Sequence, residues 1–183
     1  MRLFGSFRDD RALQRATISY VDLLLNEPAL VDVEWLSAVG THGDVDHARW
    51  ELRYLRRSLG ILVAQRDAFD DRTPSEILRT LAARMARDPN VDDALRDLSE
   101  RQFNARLSAY RDAFTSRGLG TPALRVAQNL LAFAGGPIRA DDPAVIRGAG
   151  LVTESLQRSA ESMRVIFGTV LLPEDVPPSQ IVR

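Results

Sequence analysis

The sequence predicts an all-α protein: a single-domain bundle of about seven helices with a long central helix and an extended C-terminal arm. Three observations carry that prediction. Apolar residues recur at spacings of three and four, no stretch alternates with the two-residue period of a half-buried strand, and Pro and Gly divide the chain into helix-length pieces. With 183 residues, 45% of them hydrophobic, one core can bury about 70% of the unfolded surface.

The first helix is expected from Asp9 or Asp10 to Asn26, where Leu13, Ala16, Tyr20, Val21, Leu24 and Leu25 form an apolar stripe and Pro28 blocks simple continuation. A short helix over Ala29 to Val39 ends at Gly40. The third, Asp44 to Phe69, sets Val45, Ala48, Leu52, Leu55, Leu59, Leu62 and Phe69 at spacings of three and four, a packing seam that places this helix at the centre. Thr73-Pro74-Ser75-Glu76 reads as a capping box with proline in the first turn, opening a fourth helix that runs to about Arg87. Pro89-Asn90 opens the fifth, with Asn90 as cap and Leu95, Leu98, Phe103, Leu107, Tyr110 and Phe114 as apolar surface, and Gly118 ends it. Thr121-Pro122 and Asp142-Pro143 start the sixth and seventh helices, which stop before Gly135 and near Val170. Gly148-Ala149-Gly150 either bends the seventh or admits a close neighbour. The helical domain is thus 1–172, and 173–183, with three prolines, is read as an arm.

Composition excludes several chemistries. There is no cysteine, so disulfides, thiolate metal sites and a cysteine nucleophile are absent. All 24 basic residues are arginine, which removes lysine Schiff bases and a phosphate-loop lysine and fits a GC-rich bacterial genome. Against 25 acids they leave a net charge of -1, without the basic excess of a nucleic-acid-binding domain. No apolar run is long enough to span a bilayer and the N-terminus lacks a secretory pattern, so a cytoplasmic location without membrane association is expected.

Both histidines fall in His42-Gly43-Asp44-Val45-Asp46-His47-Ala48-Arg49-Trp50-Glu51. His42, Asp44, His47 and Glu51 make a candidate divalent-metal set, with His47 and Glu51 one turn apart on a helix. The alternative for the same residues is a helix start, in which an aspartate caps and the histidines are ordinary polar side chains. Asp67, Asp70 and Asp71 form a second acidic group at a helix end, easily matched by Arg66 and Arg72. Arg49, Arg53, Arg56 and Arg57, interleaved with Trp50 and Tyr54, are a candidate phosphate-gripping and base-stacking strip, or else pair with neighbouring acids while the aromatic rings anchor packing. No nucleophile elbow, dinucleotide loop or phosphate loop is present.

The poor catalytic inventory and the long apolar seams favour a non-enzymatic interaction or regulatory protein. Its expected partner is a second copy of itself, meeting it through the third or seventh helix, or another protein. A metal-dependent enzyme or small-molecule-binding protein centred on His42, Asp44, His47 and Glu51 is the alternative, and only there does a cofactor, a divalent metal, enter. A nucleic-acid-binding module built on Arg49, Arg53, Arg56 and Arg57 is the third reading.

Overall fold

A computed structural model describes residues 3–68, 70–117 and 120–168, with the backbone alone for 3–9. Seven α-helices and one short 3-10 turn make up the described residues, with no strand among them: α1 Leu3–Leu25, α2 Leu30–Val39, α3 Val45–Asp67, α4 Arg72–Met85, α5 Arg96–Thr115, α6 Pro122–Ala134 and α7 Pro143–Phe167. The turn, Asp93–Leu95, leads into α5. No helix among them is long and apolar enough to cross a membrane.

α3 is the axis of the bundle and packs against all six other helices. Leu52, Leu55, Leu59, Ile61, Val63 and Ala64 are buried along it, so apolar residues face neighbours on every side. The same enclosure buries Glu51, Arg53, Arg57 and Ser58, which makes their partners decisive. A helix so enclosed offers a second copy little surface, and of the two interface helices expected from sequence only α7 keeps an outer face. α1 approaches α3 closely at Gly60, where a Cβ atom would come within 2.2 Å of Leu24 Cδ2. Beside that contact the Tyr20 hydroxyl donates to the Gly60 carbonyl at 3.0 Å. α6 and α7 meet at Gly148, whose Cβ would lie 3.1 Å from Ala127 Cβ; the glycine admits a neighbour, and α7 runs unbroken through it.

Local capping chemistry set most boundaries. Asp44 caps α3 by accepting from the His47 amide at 2.9 Å, Thr121 caps α6 and Asp142 caps α7. Several boundaries differ from the sequence reading, among them the ends of α3, α5 and α7, which come two or three residues early at Asp67, Thr115 and Phe167. α1 begins at Leu3, since nothing between there and Asp10 stops a helix except one glycine. α4 starts at Arg72: Asp70, not Thr73, supplies the capping carboxylate, accepting from the Thr73 amide and hydroxyl. Pro74 therefore sits in a first turn whose amides need no helical partner, and Glu76 pairs with Arg79 rather than closing a box. The fourth helix stops at Met85, short of Arg87. α5 starts at Arg96 because Asp92 caps the preceding 3-10 turn through the Ala94 amide, while Asn90 bonds to Asp88. Phe69, Val170 and the 173–183 arm lie outside the described residues.

Candidate ligand-binding site

The stretch around His47 forms one wall of a cleft of about 320 Å³ between α3 and α5, roofed by the chain between α4 and the 3-10 turn. His47, Trp50, Glu51 and Tyr54 come from successive turns of α3, and Ser99, Gln102 and Arg106 come from α5. Both sets follow the helical repeat, so two helices lying side by side bring their matching faces together.

Glu51 is the deepest polar group, with 1% of its side chain exposed. Its carboxylate accepts from Arg106 twice on the facing edge, Nε at 2.9 Å to Oε2 and Nη2 at 2.5 Å to Oε1, the two-pronged geometry that guanidinium and carboxylate favour. Arg106 Nη1 donates to the Gln102 carbonyl at 3.2 Å. The guanidinium also lies over two rings, Phe133 at 4.5 Å and Tyr54 at 5.2 Å. Burial pulls the Arg106 pKa down, but the hydrogen bond and charge of Glu51 outweigh it, and the net shift is upward. The His47 Nε2 atom stands 3.3 Å from Glu51 Oε1 at the mouth, with 40% of the side chain exposed. The Tyr54 hydroxyl is 3.1 Å from Ser99 Oγ and donates to Gln102 Oε1 at 3.4 Å. Behind the pair lies Tyr110, fully buried, whose hydroxyl finds no partner among the described residues. Burial first, then the negative charge of Glu51, raises its pKa far above the usual phenol range.

Of the four candidate metal ligands, the fold brings two together. His47 and Glu51 share the cleft, whereas His42 stands exposed in the preceding turn at φ +54° and Asp44 is committed to the helix cap. Among the described residues no group of three or more His, Asp or Glu side chains is placed to hold a metal ion. Two carboxylates of the acidic group at 67–71 are likewise engaged, Asp67 with Arg66 and Asp70 with Thr73.

The arginine strip is tied to the protein itself. Arg49 pairs with Asp46, Arg53 with both oxygens of Glu27, and Arg56 donates to the carbonyls of Asn26 and Glu27. Arg57 lies buried 3.6 Å from Asp88, with Nε lacking a partner among the described residues; desolvation lowers its pKa, partly offset by Asp88. Trp50 carries Arg53 at 4.6 Å from its ring centroid and packs on Tyr54 at 5.6 Å, so both aromatic residues work as packing anchors as well as cleft walls. Sequence reasoning found the α3 half of this site. It missed Arg106, Gln102 and Ser99, which carry no signal of their own on a helix rich in polar residues.

A larger cavity of about 820 Å³ lies between α1, the α3–α4 turn and the end of α7, reaching Gly168. Of its charged groups, Arg66 and Asp67 neutralise each other, Asp70 caps α4 and Arg164 stands on α7, whereas the α3–α5 cleft gathers a buried ion pair and several hydrogen-bonding groups at one place. In comparisons with known protein families, curated proteins and solved structures, none matches this chain.

Proposed function

We propose that this protein is a non-catalytic binding protein that holds a small polar organic molecule in the α3–α5 cleft. The observation that carries the reading is the Glu51–Arg106 pair, nearly closed off from water yet bordering an open space. A buried ion pair contributes little net stability compared with apolar residues of similar size, so its presence beside a cleft is better accounted for by what enters the cleft. Because the two charges match each other, the groups left to address a ligand are mostly uncharged, the Gln102 amide and the hydroxyls of Ser99 and Tyr54, with His47 and Asp92 at the edge. Trp50 and Tyr54 supply flat apolar wall. A few placed polar groups among aromatic and aliphatic ones is the usual make-up of a small-molecule site.

The test is a thermal-shift and tryptophan-fluorescence screen of small uncharged amides, lactones and sugars against the full chain. A compound that raises the melting temperature and binds Gln102→Leu at least tenfold more weakly supports the reading. Equal affinity for wild type, Gln102→Leu and Trp50→Ala, or no binder in the panel, overturns it.

A second reading, association of two copies, draws on Leu30 and Val31, adjacent in the first turn of α2 and 63% and 60% exposed. Light scattering at twice the chain mass for wild type, reverting to the chain mass in Val31→Asp, supports it, and the chain mass for both removes it.

A further inference from the structure

We infer that the ligand is an amphiphile whose uncharged, hydrogen-bonding head occupies the cleft and whose unbranched apolar chain lies in the trough between α4 and α5. The inference deepens the small-molecule reading and rests on it. The trough is a second space of about 470 Å³, walled by Leu78, Leu81, Met85 and Phe103, with Ala82 and Ala83 along its edge. It exists because α4 is carried by α1 and α3 while α5 is carried by α3 and α6, which leaves a gap between the two helices. The chain from Ala86 to Leu95 bridges them.

Val91 and Ser99 line both the cleft and the trough, so the two spaces share a wall and adjoin each other. Their chemistry differs. The cleft holds Glu51, Asp92, Arg106, Gln102 and His47, whereas the trough is lined mainly by aliphatic and aromatic carbon, with Arg96, Asp97, Glu100 and Asn104 along its α5 side. Leu95 and Leu98, on the cleft side of the junction, are about half exposed, and a chain passing from cleft to trough would cover them. That covering is favourable at about 25 cal/mol per Å² of apolar surface.

Charge decides the head. Arg106 is matched by Glu51, and the Asp92 carboxylate is engaged by the Ala94 amide. Arg96, at the trough, pairs with Asp93 and donates to the Ala86 carbonyl. A carboxylate head would be repelled by Asp92, and an ammonium head would have to compete with Arg106 for Glu51 and with the Ala94 amide for Asp92. An amide, alcohol or lactone meets neither obstacle and can use Gln102 and Ser99.

The experiment is calorimetric titration of the full chain with butyramide, hexanamide and octanamide, with octanoate and octylamine as the charged arms. Affinity is expected to rise about fourfold per added methylene, and octanamide to bind at least tenfold tighter than either charged homologue. Ala82→Trp, or Ala83→Trp if the first does not melt as wild type does, should abolish the dependence on chain length and leave butyramide affinity unchanged. Gln102→Leu should weaken all three amides by one common factor. Affinity independent of chain length, an unaltered response in the tryptophan variants, or tighter binding of a charged homologue overturns the amphiphile while leaving the cleft reading intact where butyramide still depends on Gln102. Chain-length dependence indifferent to Gln102→Leu overturns the head assignment and the cleft reading together, as does the failure of every amide to bind.

Discussion

The core divides into two clusters that share α3, α5 and α7, and they differ in how they meet open space. Around α6 the first gathers Leu36, Leu55, Tyr110, Leu130, Leu131 and Val145. Small residues let the backbones come together there: Gly148 sits on Ala127, and Gly136 rests against Val39 and Gly40, where a Cβ would lie 2.8 Å from the Val39 carbonyl oxygen. The second cluster, Tyr20, Ile61, Ile77, Leu81, Phe103 and Met163, lies between α1, α4 and α5. The cleft, the trough and the cavity at the end of α7 all border this second cluster. Glycine lets helices close up in the second cluster as well, α1 against α3 at Gly60, and the open spaces lie where α4, α5 and the end of α7 have no such contact.

Truncation tests this contrast most strongly. Leu130 and Leu81 are both fully buried, but only Leu81 borders an open space. Leu130→Ala is expected to cost about 3 to 5 kcal/mol and Leu81→Ala about 2 to 3 kcal/mol, because a cavity that solvent or a shifted helix can fill carries a smaller penalty. Urea denaturation measures both, and equal losses would break the distinction between a filled and an open half.

Next in size is the ion pair that spans the cleft. Glu51→Gln leaves the largely enclosed Arg106 without its counter-charge and should cost about 3 kcal/mol. Replacing both partners with methionine should recover most of that loss. If the single and double variants were equally unstable, the pair would be a structural support of the fold and not a feature retained for the cleft.

The smallest expected effect separates two buried tyrosines, one in each cluster. Tyr20 donates to the Gly60 carbonyl, whereas the Tyr110 hydroxyl has no partner among the described residues. Tyr20→Phe should cost about 1 kcal/mol, and Tyr110→Phe should leave stability unchanged or raise it. Burial holds both phenols protonated above their ordinary pKa of 10.0. The unfolded chain therefore loses these protons as pH rises past about 10, where the folded chain keeps them. Their contribution is whole below that pH and declines above it, and each phenylalanine variant should flatten the alkaline fall in melting temperature. Equal destabilisation by the two substitutions would show that Tyr110 has a partner after all.

What was legible from residues alone follows the range of the forces involved. Helix stripes and the Asp44, Thr121 and Asp142 caps act over three or four residues, and the central position of α3 could be read from an apolar seam longer than one neighbour can cover. The misplaced starts of α4 and α5 are local too, but there several capping candidates compete, and the winning carboxylates, Asp70 and Asp92, stand next to aspartates of equal intrinsic capacity. The candidate site was half visible. His47 and Glu51 show themselves by being one turn apart, and Trp50 and Tyr54 by their size.

Residue order is enough to specify an all-helical chain, the approximate limits of its helices, the helix that would be central, and an inventory without cysteine or lysine chemistry. Tertiary structure alone decided that Glu51 meets Arg106, 55 residues away, that the arginines of α3 are tied to Glu27, Asp88 and backbone carbonyls, and that a gap is left between α4 and α5. The physical reason is that a helix face specifies what it must bury but not which neighbour buries it. The partner of a charge is set by where whole helices come to rest, a balance over many apolar contacts that no short window of sequence contains.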